Sequence, residues 1–211
     1  MGIKIIKVGI LETNCYFVAD EKSKEAFIVD PGFNAEKILF NIDKSYKVKY
    51  ILITHAHYDH ISAVNKVKEA TGAKIVCSVP CEDVLNDPMS NLSLKNLFTA
   101  LTHIEPDILI EDNGEIEFGD DSIKAIYTPG HSKGDCSYIY KNCIFVGDFI
   151  FKETIGNVSF INSSFKAMNE SLKRISLLEK DYILYPGHDV KTTLNHEKEN
   201  NPYLIKAMKK Y

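Results

Sequence analysis

The segment Thr54-His55-Ala56-His57-Tyr58-Asp59-His60 places three histidines and an aspartate directly after the apolar run of residues 50–53. Neutral imidazole and carboxylate groups are ligands that zinc, iron and manganese accept in proteins. A cluster of this kind at the end of a buried strand needs partners, because unpaired polar groups are costly to bury. A metal ion would supply them, so we disfavour the alternative, a solvated histidine-rich turn. The segment therefore predicts a metal site.

The spacing within this segment indicates two directions for its side chains. Side chains of an extended segment alternate with a period of two, so His55 and His57 are expected to point the same way. Asp59 shares their parity, whereas His60 does not and is expected to face elsewhere. The pattern thus predicts ligands aimed at two neighbouring points instead of four ligands at one point.

Three more ligand-type side chains follow apolar runs later in the chain, each after a small or turn-forming residue. In layered α/β proteins, sites are assembled at the ends of strands and in the loops that leave them. Because the same arrangement recurs, we expect these side chains to join those of residues 54–60 in one site. They are His131, Asp148 and His188.

The composition is that of a globular protein. The chain has 211 residues, of which 45% are hydrophobic and 26% are charged, and we expect one domain over residues 1–211. The net charge of −4 gives no reason to expect a nucleic-acid partner, which would favour a basic face. A small-molecule substrate is expected instead, and the oligomeric state is left open.

The apolar runs and the cysteines bear on the compartment. No run approaches the length of a membrane span, and the N-terminus lacks an apolar signal region, so no membrane association is expected. The 5 cysteines have no disulfide-like density, which is typical of the reducing cytoplasm. Cys81 follows Pro80 and is expected to be the most exposed thiol.

The rhythm of apolar residues predicts alternating strands and helices, and so an α/β or α+β protein. Residues 89–100 carry several apolar side chains that could cover the site as a lid, but their helical spacing favours a packed helix. Strands are predicted at residues 3–9, 15–19, 26–29, 50–53, 73–78, 115–118, 122–127, 136–140, 143–146 and 182–184, and helices at residues 35–43, 61–71, 164–179 and 194–208.

The full pattern of histidines and aspartates resembles that of the metallo-β-lactamase fold hydrolases. The resemblance covers nearly the whole chain, since residues 13–16 and 28–32 also resemble the opening strands of that superfamily. It implies a four-layer αββα sandwich with the ligands along one edge of the buried sheets. Shorter motifs resemble the short glyoxalase II-like (hydroxyacylglutathione hydrolase-like) branch, namely Asn91-Leu92-Ser93, Thr192-Thr193 and Asn201-Pro202.

The resemblance also implies two divalent metal ions that share one carboxylate. Zinc is the default, and iron or manganese are alternatives because the ligands are nitrogen and oxygen without thiolate. The alternation of side chains places Asp59 with His55 and His57, whereas the resemblance assigns its carboxylate to the second metal. The implied ligands are His55, His57 and His131 for the first metal, Asp59, His60 and His188 for the second, and Asp148 as the bridge.

The reaction implied by the resemblance is hydrolysis by a metal-bound hydroxide. This hydroxide would attack a carbonyl, most readily that of a thioester such as a hydroxyacylglutathione. Asp59 would be the catalytic residue, which hydrogen-bonds the hydroxide and passes its proton to the leaving group. One alternative is a mononuclear iron persulfide dioxygenase on the same fold, and another is an ester or lactone hydrolase. A metal-binding module without activity is disfavoured, because every hydrolytic ligand is present.

The residues that bind the substrate are not identified by the sequence. The branch often has Gly-Arg-x-Asp where this chain has Gly156-Asn157-Val158-Ser159, and Val190 stands where longer relatives have a tyrosine. The short stretch after His188 also leaves no room for a glutathione-binding helical region. We therefore expect weak recognition of glutathione, unless a lysine that flanks the site in sequence replaces the missing arginine. These lysines, which are equally expected to face solvent, are Lys133, Lys152 and Lys191.

Overall fold

The first β-sheet contains six strands in chain order. The computed structural model describes residues 1–95 and 103–209. The first three strands are antiparallel, and the following ones are parallel to the third. The strands are β1 (Gly2–Val8), β2 (Thr13–Asp20), β3 (Glu25–Val29), β4 (Lys47–Leu52), β5 (Lys74–Ser78) and β6 (Ile108–Ile110).

The second β-sheet also contains six strands and is built from the later part of the chain. Its strands are β7 (Glu115–Phe118), β8 (Asp121–Tyr127), β9 (Cys136–Tyr140), β10 (Cys143–Gly147), β13 (Ile183–Pro186) and β14 (Thr192–Thr193). Their order is β14-β13-β10-β9-β8-β7, with β10 and β13 parallel. Between them along the chain lies the short hairpin of β11 (Ile150–Phe151) and β12 (Thr154–Ile155).

Helices cover the outer face of each sheet. The first sheet packs against α1 (Ala35–Asn41), α3 (Val64–Thr71) and α4 (Val79–Leu85), whose apolar side chains join one core cluster. The second sheet packs against α5 (Phe165–Ser176), α6 (Leu194–Asn200) and α7 (Pro202–Lys209) in another cluster. A third cluster lies between the sheets. The four-layer αββα sandwich is therefore confirmed.

The aromatic side chains between the two sheets hold them face to face. Phe27 makes edge-to-face contacts with Phe118, Tyr140 and Phe145 at centroid distances of 4.9, 5.6 and 5.6 Å. Each such ring contributes roughly 1.5–3 kcal/mol by its burial. Neighbouring residues on the same strand face the helical layer instead, as Ala26 and Ile28 do. Because both faces of β3 are buried beyond Glu25, its residues 26–29 are continuously apolar.

The helix predicted over residues 61–71 is wrong at its start. The chain forms a short helix, α2 (Tyr58–Ile61), then breaks and resumes as α3. The break arises because the N–H of Ala63 donates to the carbonyl of Pro31 at 3.0 Å instead of continuing the helix. Because α2 begins at Tyr58, Asp59 and His60 lie on a helix and not on an extended segment.

The helix predicted over residues 194–208 is also divided. Asn201 is extended, with φ −82° and ψ 112°, and separates α6 from α7. Pro202 explains the break, since the residue before a proline avoids the helical region and proline itself has no N–H to donate. The side chain of Asn201 caps the new helix, because its Oδ1 accepts from the N–H of Tyr203 at 3.1 Å.

Two further predictions need correction. Cys81 is fully buried inside α4, where Ser78 caps the helix by accepting from the Cys81 N–H at 3.2 Å, so it is not an exposed thiol. The described part of residues 89–100 is not a packed helix: it consists of turns and the 3₁₀ turn Ser93–Lys95, with Met89 and Leu94 exposed. Residues 96–100 lie outside the described residues. The strands β6, β11, β12 and β14 and helix α4 are not among the predicted elements.

No helix within residues 1–95 and 103–209 has both the length and the apolar character needed to cross a membrane.

Candidate metal centre

The predicted ligands all lie at one edge of the sandwich. Strands β8, β10 and β13 run in the same direction, so their carboxyl ends meet at one edge, and His131, Asp148 and His188 follow those ends. The segment after β4 joins them there, since the Cys136 N–H donates to the Thr54 carbonyl at 2.8 Å across the two sheets. The convergence of strand ends therefore brings together the residues that the sequence singled out.

The first group of side chains consists of three buried histidines. One ring nitrogen from each of His55, His57 and His131 lies within 4.8 Å of the others. The closest pair is His131 Nε2 and His57 Nδ1, which are 2.9 Å apart. Three imidazole nitrogens facing one point form a set that a divalent transition metal accepts.

The second group combines one carboxylate with two histidines. Asp59, His60 and His188 also present ligand atoms within 4.8 Å of one another. The Oδ2 of Asp59 lies 3.2 Å from His188 Nε2 and 3.4 Å from His60 Nε2. The prediction from parity, that Asp59 faces with His55 and His57, is therefore wrong, because α2 begins at Tyr58 and the period of two ends there.

Asp148 lies between the two groups. Its Oδ2 is 3.6 Å from His131 Nε2 in the first group and 3.6 Å from His188 Nε2 in the second. Its Oδ1 is 3.5 Å from His60 Nε2. The carboxylate is therefore in contact with members of both groups.

Hydrogen bonds on the outer side of the rings fix their orientation. The Nδ1 atoms of His60, His131 and His188 pair with Asp30 Oδ2 at 2.9 Å, the Asn157 carbonyl at 2.8 Å and the Leu11 carbonyl at 3.0 Å. Such partners turn the Nε2 of each ring inward and keep its lone pair available to a metal.

Asp30 is a site residue to which the sequence analysis gave no role. It follows β3 with a left-handed backbone, φ 48°. Its carboxylate accepts from the Thr54 N–H at 2.8 Å, from the Thr54 hydroxyl at 2.6 Å and from His60 Nδ1 at 2.9 Å. The Thr54 hydroxyl in turn lies 3.1 Å from His55 Nδ1. Asp30 thus positions His60 directly and His55 through Thr54. Its place directly after an apolar strand was the sequence signal that could have identified it as a site residue.

Two histidines of the first group, His55 and His57, are held neutral. Burial lowers the pKa of His55 well below its ordinary value, and the nearby His60 lowers it further. Burial and His131 lower the pKa of His57 to about 3. These rings therefore present lone pairs near neutral pH, which is the form that coordinates a metal.

The second group has the opposite electrostatic character. Burial acts against a charge on His60, but Asp59 and Asp148 outweigh it and raise the pKa of His60 to about 10. Burial raises the pKa of Asp59, but His60 and His188 more than offset this and hold it below its ordinary value. A cation bound here would displace protons from the histidines, so binding is expected to release protons.

Unpartnered polar atoms test whether these residues fit a metal. Within the described part of the chain, the buried side-chain nitrogen and oxygen atoms that have no hydrogen-bond partner are His55 Nε2, His60 Nε2, Asp148 Oδ1 and Asn14 Oδ1. An unsatisfied buried group costs about 1–3 kcal/mol. Three of the four belong to the predicted ligands, and cations at the two groups would satisfy them. The donor set therefore fits a pair of divalent ions.

The backbone close to Asp148 has no room for a side chain. A Cβ on Gly187 would lie 2.2 Å from Asp148 Oδ1 and 2.5 Å from His60 Cε1. Glycine at this position therefore permits His188 to follow β13 while the carboxylate remains in contact with both groups.

An open cleft of about 430 Å³ leads from the solvent to the two groups. Among the residues that the structure describes, the lining is apolar apart from the ligands and Tyr58, and it includes no lysine or arginine. Lys133 is instead paired with Asp83 at the surface, with Nζ 2.6 Å from Oδ2. The lining residues are Leu11, His57, Tyr58, Asp59, Leu92, His131, Asp148, Phe160 and His188.

The comparison with known families agrees with the fold. The family model of the metallo-beta-lactamase superfamily matches residues 8–188. The chain belongs to this superfamily, and its relatives there are metal-dependent hydrolases.

Three similar proteins show the range of the family around this chain. The hydroxyacylglutathione hydrolase GloC of Haemophilus influenzae is 29% identical, with 97% of this chain and 98% of that protein covered. The crystal structure of BLEG-1, a B3 metallo-β-lactamase, has a TM-score of 0.88 and 31% identity, covering 96% of this chain and 99% of that one. The crystal structure of TTHA1623 in a di-iron-bound form has a TM-score of 0.82 and 26% identity, covering 95% and 99%.

Proposed function

We propose that this protein is a dinuclear metal-dependent hydrolase that cleaves thioesters. The observation that carries the proposal is the position of Asp148, whose Oδ2 is 3.6 Å from a histidine of each group. In this assignment His55, His57 and His131 would hold one ion, Asp59, His60 and His188 would hold the other, and Asp148 would contribute to both. When bound, two such ions supply Lewis acidity toward a carbonyl oxygen and lower the pKa of water.

Asp59 is the proposed catalytic residue. It faces the cleft, and the hydroxyl of Thr13 donates to its Oδ2 at 3.0 Å, which fixes the carboxylate. Because its pKa is held below the ordinary value, the carboxylate is ionised near neutral pH and can accept a proton. A carboxylate in this position can accept the proton of the attacking hydroxide and pass it to the departing thiolate, which leaves as the thiol.

The thioester is favoured by the likeness to GloC, while the cleft argues for a broad substrate range. The described residues of the lining include no lysine or arginine, so they offer no bidentate partner for the carboxylates of glutathione. S-lactoylglutathione is therefore a measurable but poor substrate, and other thioesters or small esters are cleaved with comparable efficiency. The likeness to BLEG-1 adds a β-lactam as a second candidate substrate.

Zinc is the proposed metal, and iron or manganese are alternatives. Five imidazoles and two carboxylates suit all three ions, and TTHA1623 binds two irons on a similar fold. The proposed compartment is the cytoplasm, because all the cysteines are free and buried, as a reducing environment permits.

Steady-state kinetics on the zinc-loaded protein tests the proposal. The panel contains S-lactoylglutathione, non-glutathione thioesters, simple esters and a β-lactam, with chelator-treated protein as the background. We expect thioester cleavage well above background, with kcat/KM for S-lactoylglutathione within tenfold of the other thioesters. No cleavage of any thioester would overturn the proposed function, and a preference of a thousandfold for S-lactoylglutathione would reveal a glutathione site in the cleft.

A further inference from the structure

An apolar pocket of about 110 Å³ lies beside the metal cleft. The two share Leu92, which lines both. The described side chains that line the pocket carry no charge and no hydrogen-bonding group. They are Pro88, Met89, Leu92, Leu94 and Ile161.

The walls of this pocket expose more apolar surface than packing requires. Met89, Leu94 and Ile161 are 55%, 65% and 62% exposed. Isolated exposed apolar residues are ordinary, but several that line one concave surface mark a place where something binds.

Hydrogen bonds attach both walls of the pocket to the metal centre. On one side, the Tyr58 N–H donates to the Asn91 carbonyl at 2.9 Å, which ties the segment before Leu92 to the start of α2. On the other side, the Ser163 hydroxyl donates to the His131 carbonyl at 2.6 Å, and the Phe160 N–H donates to the Ser163 hydroxyl at 3.1 Å. The pocket therefore has a fixed position relative to the ligands.

Leu92 itself has a strained backbone. Its φ of 61° lies in the left-handed region, which bulky side chains rarely adopt. The neighbouring Asn91 holds this conformation, since its Nδ2 donates to the Leu85 carbonyl at 3.0 Å and its Oδ1 accepts from the Ser93 N–H at 3.0 Å. Strain that is maintained in this way concentrates at functional positions.

The ring of Phe160 contacts two histidines of the first group. Its ring is 5.3 Å from that of His57 and 5.5 Å from that of His131. Phe160 lines the cleft and the next residue, Ile161, lines the pocket, so the pocket lies beside the first group of ligands.

We infer that this pocket is a subsite for a small alkyl group of the substrate. The inference rests on the proposed function and names its substrate class: a thioester or ester that carries a short apolar chain beside the scissile carbonyl. An apolar cavity of about 150 Å³ accommodates benzene, so a pocket of about 110 Å³ suits a chain of about four carbons. Longer chains extend into solvent and gain little more.

Two series of substrates test the subsite on the zinc-loaded protein. In one, the thiol is N-acetylcysteamine and the acyl chain grows from acetyl to octanoyl. In the other, the acyl group is acetyl and the thiol grows from ethanethiol to octanethiol. In one of the series we expect kcat/KM to rise roughly fourfold per methylene and to level off near four carbons. The series that rises identifies the side of the carbonyl that the pocket takes, and a flat response in both overturns the inference.

A matched pair of variants assigns the effect to the pocket. Leu94 and Leu177 are similarly exposed, at 65% and 68%, but Leu177 follows α5 and does not line the pocket. Leu94→Ala should reduce the roughly fifteenfold preference for four carbons over two to near unity, whereas Leu177→Ala should keep it. Equal preferences in the two variants would contradict the assignment.

Binding without turnover separates this inference from the proposed function. S-methyl and S-butyl thioethers of N-acetylcysteamine cannot be hydrolysed, and their dissociation constants can be measured by calorimetry for the wild type and both variants. Tighter binding of the butyl compound that Leu94→Ala abolishes supports the subsite, even if no thioester is cleaved. Thioester cleavage without any discrimination between chain lengths, in turnover or binding, supports the proposed function and overturns the subsite.

Discussion

Strand β2 joins two buried carboxylate clusters that differ in how their atoms are satisfied. At one end of the strand, Thr13 contacts Asp59, and at the other end lies Asp20; the two aspartates are equally buried, each 6% exposed. Asp20 accepts from Lys141 Nζ at 2.8 Å, from the Ser23 N–H at 3.0 Å and from the Tyr140 hydroxyl at 3.3 Å. Its cluster is complete within the protein.

In the cluster around Asp59, by contrast, some buried polar atoms have no hydrogen-bond partner. Ring nitrogens of His55 and His60 and one oxygen of Asp148 have no hydrogen-bond partner there. The exposed fraction of the aspartate is therefore the same at both ends and does not distinguish them. The difference is that a structural cluster supplies its own partners, whereas a metal site leaves lone pairs directed at a common point.

The largest effect is expected from removing the carboxylate that contacts both ligand groups. Asp148→Ala should lose both metals or nearly so, and its activity should fall to that of chelator-treated protein. Metal content by mass spectrometry checks this, with Asp20→Asn as the matched removal of a buried aspartate charge that should retain both metals. Two tightly bound metals in Asp148→Ala would refute the bridging assignment.

A smaller effect is expected when only the proton acceptor is changed. Asp59→Asn should keep much of the metal, because an amide oxygen still coordinates weakly. Its turnover per bound metal should nevertheless fall by ~10²–10⁴-fold, because an amide cannot accept the proton. Stopped-time assays normalised to metal content measure this, and unchanged turnover per metal would exclude Asp59 from proton transfer.

Asp30 should affect the metal site through the rings that it positions. In Asp30→Asn, the carboxylate that accepts from Thr54 and His60 is replaced by an amide. The ring of His60, and that of His55 through Thr54, therefore lose part of their orientation. We expect metal affinity to weaken by ~10–100-fold, with the fold retained. Competition with a chromophoric chelator measures the affinity, and an affinity equal to that of the wild type would show that Asp30 is only structural.

The smallest effect is expected at the complete cluster, and it concerns stability. Lys141 and the N–H and hydroxyl of Ser23 lower the pKa of Asp20 below its ordinary value, against the effect of burial. Its contribution is therefore present above the unfolded pKa of about 3.9 and is lost as the pH falls through the folded value. Asp20→Asn should lower the free energy of unfolding by about 1–2 kcal/mol at pH 7.

Urea unfolding of the metal-free wild type and of Asp20→Asn at several pH values checks this prediction. The difference between the two proteins should shrink as the pH falls through the acid range. A difference that is independent of pH would mean that the loss comes from packing and not from the charge of Asp20.

The sequence predicted the strand ends and the ligand-type side chains that follow them, because those signals are local. Apolar runs end at His55, His131, Asp148 and His188, and the structure brings all four to one edge. The outer partners of the rings could not be predicted, because they include main-chain carbonyls, such as those of Leu11 and Asn157, that approach from distant parts of the chain.

The errors in the predicted elements have equally specific causes. Parity placed Asp59 with the wrong group because no local signal announced the short helix α2. That helix ends where the N–H of Ala63 donates to Pro31, a contact between residues far apart in sequence. Pro202, in contrast, was visible in the sequence and should have divided the last helix.

The number of metal ions per chain tests the central claim most directly. Native mass spectrometry of zinc-reconstituted protein should show two ions in the wild type, one in His188→Ala and two in Asp20→Asn. This pattern follows from two ligand groups at one end of the sandwich and a complete cluster at the other. A wild type that binds a single ion, or a His188→Ala protein that retains two, would contradict the account.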